Sequence, residues 1–226
     1  MNRLVLETSS EACSVVLQTA HGMLLERATG EPRAHGRVLV PWIGELLAEA
    51  GLSYSQLDRI AVDRGPGGFT SLRLGLGVAQ GIALAQDLPV HPVSSLAALA
   101  LAARPTAYRG DVLAAIDARM GEVYWAWFRF DGDLPEPLGA EQLSAPAQVE
   151  IIGEGEFIGV GSGFSAYAEI IEEAAGPRLK QVDAEAAPTA RAVGLLAELS
   201  EPVAAHELEP VYLRDRVTHQ GRNAPA

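Results

Sequence analysis

Two acidic residues sit where apolar runs give way to turns. Glu7 follows Leu4-Val5-Leu6 and precedes Thr8-Ser9-Ser10, and Asp117 follows Val112 to Ile116 and precedes Ala118-Arg119-Met120-Gly121. Two such turns facing one another across a cleft could hold Mg²⁺-bound phosphates, so Glu7, Thr8, Ser9 and Asp117 are candidate nucleotide contacts. The run Gly159-Val160-Gly161-Ser162-Gly163 would let backbone approach a base or ribose, which adds Gly161 and Gly163. Residues of these types also make ordinary turns, and both readings stand at this point. The loop Gly65-Pro66-Gly67-Gly68 lacks the lysine of a phosphate-binding loop and fits no Gly-x-Gly-x-x-Gly pattern, so it reads as a strand-to-helix turn. His21, His35, His91, His206 and His219 are scattered, and the single Cys13 builds no cluster, so no metal site is expected. Ser9, Ser10 and Ser14 have no accompanying His/Asp pattern, and no catalytic residue is assigned.

The elements that must place these residues follow from periodicity and punctuation. Leu4 to Leu6, Ala12 to Gln18 and Met23 to Ala28 predict an antiparallel meander broken at Ser9-Ser10-Glu11 and His21-Gly22. A helix is predicted from about Gly36 to Ala50, a short capped one at Ser53 to Leu57, a strand at Arg59 to Asp63, a helix from about Thr70 to Gln86 and a strand at Pro89 to Pro92. Past Arg104-Pro105 the plan restarts with strands at Val112 to Asp117, Glu122 to Phe130, within Leu138 to Leu143, and at Phe157 to Val160. Helices over Ala166 to Ala175 and Thr189 to Leu199 complete it. The expected organisation is an α/β chain of two similar lobes, residues 1–104 and 110–216, with the end of the second able to pack back on the first and a loose tail at 217–226.

Composition bounds the function. With 226 residues, 48% of them hydrophobic, the chain can fill a core. A formal charge of −12 argues against a protein that grips a phosphate backbone by itself, since that binding needs Lys and Arg. No secretory hydrophobic region and no apolar run of about 18 residues is found, so a cytoplasmic protein without membrane contact is expected.

The first-lobe helices are richer in apolar residues than one buried stripe requires. Val38, Leu39, Val40, Trp42, Ile43, Leu46, Leu47 and Ala50 spread over an arc of roughly 200°, twice the stripe of a surface helix. In the second helix Leu72, Leu74, Leu76, Val78, Ala79, Ile82 and Leu84 are interleaved with Gly75, Gly77 and Gly81, each costing about 1 kcal/mol relative to alanine, which suggests close backbone approach to a neighbour. Two coverings fit: another helix of the same chain, or a partner subunit. On the second reading the interface residues are Val38, Leu39, Trp42, Ile43, Leu46, Leu72, Leu76 and Ala79.

Four segments carry a family resemblance. Leu4-Val5-Leu6-Glu7-Thr8-Ser9-Ser10-Glu11-Ala12-Cys13-Ser14-Val15, Arg64-Gly65-Pro66-Gly67-Gly68-Phe69-Thr70-Ser71-Leu72-Arg73, Ile116-Asp117-Ala118-Arg119-Met120-Gly121-Glu122-Val123-Tyr124 and Glu209-Pro210-Val211-Tyr212-Leu213-Arg214 resemble, in order, the signature segments of the TsaB (YeaZ) family. The resemblance implies a duplicated actin/hexokinase-like (ribonuclease H-like) two-lobed fold. It also implies a noncatalytic role in making threonylcarbamoyladenosine, next to the anticodon of tRNAs that read ANN codons. It further implies binding to the catalytic paralogue TsaD through first-lobe helices, with the ATPase TsaE joining the pair; the apolar helix face itself can pair with a second copy, so a homodimer is expected when the partner is missing. Contact with tRNA would come only through the complex, and the chain would need no cofactor of its own, with ATP or ADP lodging at the partner interface.

The departures are informative. The paralogue carries a His-x-x-x-His metal motif after its second helix, where this chain reads His91-Pro92-Val93-Ser94-Ser95-Leu96. Glu7 stands where many relatives have Asp, and Gly68 and Ser71 where Ser and Gly are usual. The competing readings are a small-molecule kinase or ATPase of the same fold using Glu7 and Asp117, a peptidase, and a self-associating scaffold.

Overall fold

The computed structural model describes residues 1–214. Arg3–Glu7 (β1), Cys13–Gln18 (β2) and Leu24–Thr29 (β3) form an antiparallel meander, followed by His35–Glu49 (α1), Arg59–Asp63 (β4), Phe69–Gln86 (α2) and Val90–Val93 (β5). Strand β4 lies parallel to β1, and β5 parallel to β4, giving the order β3-β2-β1-β4-β5. After Ser95–Ala103 (α3) come Gly110–Arg119 (β6), Glu122–Phe130 (β7), Glu136–Pro137 (β8), Gln142–Ser144 (β9), Phe157–Val160 (β10), Ser162–Ala175 (α4), Leu179–Asp183 (β11) and Ala190–Leu196 (α5). The second sheet runs β8-β7-β6-β10-β11 with the same strand directions, and β9 adds a short pairing to β7. One five-stranded plan built twice is the duplicated, two-lobed actin/hexokinase-like fold.

Alternation along β1 explains how the first sheet is covered. Leu4 and Leu6 point to one face, where they meet Leu39, Ile43 and Leu46 of α1 and Leu72, Leu76 and Ala79 of α2. Val5 points to the other face and meets Val193 and Leu196 of α5, with Val16 and Ala61 beside it. A strand covered on both sides reads as a continuous apolar run, as β1 and β4 do. Helix α3, which follows the first sheet in sequence, buries Leu96, Leu99 and Ala100 against Val112, Ala114 and Phe128 of the second. The last helix of each half thus lies on the other half's sheet. Just beyond α5, Glu198 pairs with Arg3 at 2.6 Å and also with Arg59, fixing this end of the chain to the first sheet.

Helix α3 and strand β11 were not expected from sequence. Ser-Leu-Ala-Ala-Leu-Ala-Leu-Ala-Ala is apolar all round and shows no period, because α3 is enclosed by a sheet and by α5. Helix α4 begins at Ser162, earlier than the predicted Ala166, and kinks at Tyr167 (φ −137°). The predicted tail at 217–226 and the end of the second lobe at 215–216 lie outside the described residues. No helix among the described residues is long and apolar enough to cross a membrane.

Candidate functional site

The two acidic turns do face one another across a cleft, but their carboxylates are used differently. At the β1–β2 turn, Glu7 accepts hydrogen bonds from the Ser9 backbone N–H and Oγ, both at 2.8 Å, and the Thr8 N–H donates to Asp63 Oδ1 at 2.9 Å. Glu7, Thr8 and Asp63 are completely buried. The Gly65–Gly68 loop caps them: Gly68 N–H donates to the Ser9 carbonyl at 2.7 Å, and a Cβ on Gly67 would lie 2.4 Å from that oxygen. The expectation that Glu7 and Thr8 touch a nucleotide is therefore corrected: both lie beneath the cleft floor, because the short turn folds its polar side chains onto its own backbone.

Burial has a thermodynamic consequence for this acid pair. Desolvation, reinforced by Asp63, pushes the Glu7 carboxyl well above the usual carboxylate range. Desolvation also pushes Asp63 up to about 7, against hydrogen bonds that pull it down. Glu7 Oε2 and Asp63 Oδ2 are buried without a partner among the described residues, which makes the charged form of each carboxyl costly. A carboxyl that keeps its proton better when folded stabilises the fold fully in acid. That contribution is lost as pH rises from the unfolded value of about 4 through the folded value. Asp63→Asn can keep the bond to Thr8 and is neutral at every pH. It is expected to leave stability unchanged near pH 4 and to raise it by about 2 kcal/mol at pH 8, measured by urea unfolding at both.

Across the cleft, Asp117 Oδ1 accepts the Arg119 N–H at 2.8 Å and the Tyr167 hydroxyl at 3.1 Å, and its own N–H donates to Ser162 Oγ at 3.1 Å. Arg119 reaches back over the cleft to Glu11 at 3.2 Å. Gly161 and Gly163 are buried rather than open to a ligand. A Cβ on Gly161 (φ +102°) would lie 2.5 Å from the Ala115 carbonyl, and one on Gly163 2.7 Å from the Ala115 Cβ. They are glycines because β6 passes against the start of α4. The structure brings Ser9 and Asp117 to one cleft of about 1880 Å³ and leaves Glu7, Thr8, Gly161 and Gly163 out of its lining. Sequence reasoning missed four arginines there, Arg33, Arg73, Arg119 and Arg214, and Tyr212. The only signal available was that all but Arg33 lie in the family-like segments. Histidines serve the scaffold: His35 donates to the Ala12 carbonyl and His91 to the Ser200 carbonyl, each at 2.9 Å. Among the described residues no group of three or more His, Cys, Asp or Glu is placed to hold a metal ion.

The first-lobe helices require a second correction. Of the eight residues expected at a partner interface, Leu39, Ile43, Leu46, Leu72, Leu76 and Ala79 are buried in the chain's own core, and only Val38 and Trp42 keep some surface. A helix on a sheet must first bury the row facing that sheet, and these residues form it. The apolar surplus lies on the outward rows. Val40 is 55% and Leu84 74% exposed, and Gly44 and Ala48 of α1 and Gly77, Gly81 and Ala85 of α2 accompany them. A Cβ at Gly44, Gly77 or Gly81 would meet nothing within 4 Å among the described residues. Only Gly75, on the inward row, is glycine because a neighbour of the same chain needs the space, with Thr8 Oγ1 2.1 Å from where its Cβ would stand.

Comparison with known proteins agrees with this architecture. The family model described as "TsaD: tRNA N6-adenosine threonylcarbamoyltransferase" matches residues 25–220. The tRNA threonylcarbamoyladenosine biosynthesis protein TsaB of Haemophilus influenzae is 38% identical over 95% of this chain and 94% of its own length. TsaB of Escherichia coli K12 is 36% identical over 96% of each. The solved structure of YeaZ from Pseudomonas aeruginosa superposes with a TM-score of 0.84 at 38% identity, covering 94% of this chain and 99% of that one. With near-complete coverage and the same two-lobed architecture, the chain belongs to the TsaB (YeaZ) family of tRNA threonylcarbamoyladenosine biosynthesis proteins.

Proposed function

We propose that this chain is a noncatalytic, activating subunit that binds the catalytic paralogue TsaD through the outward rows of α1 and α2. In this reading TsaE joins the pair, and the complex transfers the threonylcarbamoyl group to the adenosine 3′ of the anticodon in tRNAs reading ANN codons. The observation that carries it is the uncovered layer formed by Val40, Gly44 and Ala48 beside Gly77, Gly81 and Leu84. Open glycines cost helix stability and bring nothing to the isolated chain, whereas they allow a second helix pair to approach closely. The inward engagement of Glu7 and Asp63 supports a role without bond-making, and the charge of −12 supports tRNA contact through the complex alone. ATP or ADP belongs to the partner interface, the chain works in the cytoplasm, and the same helix layer pairs with a second copy when the paralogue is missing.

Sedimentation of the purified chain, alone and mixed with the paralogue, tests this. A homodimer that gives way to a heterodimer is the expected result. A monomer indifferent to the paralogue would overturn this reading, and ATP turnover by the chain alone that Asp117→Asn abolishes would favour the kinase or ATPase reading, because Asp117 lines the cleft.

A further inference from the structure

The last described segment, residues 209–214, crosses from one lobe to the other along the wall of the cleft. On the first lobe, Val211 N–H donates to the Arg64 carbonyl at 2.9 Å, and Arg73 Nη2 donates to the Tyr212 hydroxyl at 2.9 Å. The Arg73 guanidinium lies 3.4 Å over the Phe69 ring and 5.3 Å from the centre of the Tyr212 ring. On the second lobe, Arg214 seizes the β6–β7 turn. Its Nη2 donates to the carbonyls of Ala118 at 3.1 Å and Arg119 at 3.4 Å and to Glu122 Oε2 at 2.5 Å, and Nη1 lies 3.4 Å from the Met120 sulfur.

The turn that Arg214 holds is itself under strain. Arg119 (φ 62°) and Met120 (φ 59°) are consecutive non-glycine residues in the left-handed region, a conformation that persists only where surrounding contacts impose it. Arg214 takes two of the turn's carbonyls and a carboxylate at its foot, with a side chain only 18% exposed. Near this turn, the Arg119–Glu11 pair also joins the lobes, but both side chains are about 70% exposed and solvent screens it. The buried interlobe packing lies elsewhere, where α3 and α5 touch.

We propose that residues 209–214 are a strap that sets the width of the interlobe cleft, with Arg214 as its catch on the second lobe and the Val211 N–H bond to the Arg64 carbonyl, with Tyr212 beside it, as its anchor on the first. Releasing Arg214 frees the strained turn and the strap together, so opening is a two-state event rather than a gradual loosening. Anything that enters the cleft from this side must displace Tyr212 or Arg214.

The test uses the full chain with cysteines at Pro32 and Ser165, exposed cleft-lining positions on opposite lobes, spin-labelled for distance measurement; native Cys13 is buried and stays unlabelled. Arg214→Ala is expected to lengthen and broaden the interlobe distance distribution and to speed exchange of the Arg119 amide, which Asp117 Oδ1 holds, by about tenfold or more. Arg214→Lys, which keeps charge but loses the planar fork, should fall between. An unchanged distance distribution in Arg214→Ala, even with faster exchange in the turn, would show that Arg214 only props the turn and would overturn the proposal. Should that variant fail to fold, Val211→Pro, which deletes the N–H bonded to the Arg64 carbonyl, releases the strap from the other end: a lengthened distribution supports the strap and an unchanged one sinks it. Neither result depends on whether the helix layer binds a partner.

Discussion

Gly81→Leu and Gly77→Leu, made separately, are each expected to stabilise the isolated chain by about 0.7 kcal/mol and to weaken its binding to the catalytic paralogue about 100-fold. The gain arises because leucine is a far better helix former than glycine, and neither position has an atom within 4 Å of a new Cβ. The loss arises because an open glycine row lets two helix layers approach backbone to backbone. A branched side chain in that space forces them apart, and a 100-fold loss corresponds to about 2.8 kcal/mol. Thermal or urea unfolding gives the first number and calorimetric titration with the paralogue the second. Retained affinity in both variants would place the partner surface away from α2 and remove the main support for the proposed role.

Gly75→Ala should do the opposite to the fold, two residues away on the same helix. Its Cβ would stand 2.1 Å from Thr8 Oγ1 and 3.0 Å from Thr8 Cγ2. Thr8 cannot yield: it is completely buried, and its N–H is tied to Asp63. The overlap must be relieved by moving α2 off the sheet or by breaking the β1–β2 turn, at a cost of about 3 kcal/mol that outweighs the propensity gained. Gly77→Ala, by contrast, should add about 1 kcal/mol. A urea-unfolding midpoint that falls for one variant and rises for the other confirms which row of α2 faces the sheet. Changes of the same sign would mean the helix is rotated from its described orientation.

Much of this architecture was written in periodicity and turn residues. The β1–β3 meander, β4, α1 and α2 are legible because their strands are compact apolar runs with clear breaks and their helices are long. Helix α3 was not, since residues 95–103 are apolar in every direction and an enclosed helix has no polar side to betray its turn. Strand β11 was missed because Leu179-Lys180-Gln181-Val182-Asp183 lies at a sheet edge and is mostly exposed, without the apolar content that marks a strand.

The site was legible only in part. The surplus of apolar residues on α1 and α2 could be counted from sequence, but not divided between inward and outward rows. Large side chains such as Leu39, Leu46 and Leu76 drew the interface assignment although they are the ones the sheet claims first, and the small residues left outside gave a weaker signal. The turns that follow Glu7 and Asp117 line one cleft, but Glu7 itself does not. Whether a carboxylate points into a cleft or folds back onto Ser9 depends on one side-chain torsion, which no spacing rule reveals.

The exchange of helices between the halves also bears on how the chain is made. As the polypeptide leaves the ribosome, strands β1 to β5 emerge with α1 and α2, yet the face carrying Val5, Val16 and Ala61 stays bare until residues 190–197 appear. Roughly a hundred residues of synthesis therefore separate the first sheet from its own cover, a window in which that apolar face is exposed to chaperones or to neighbouring nascent chains.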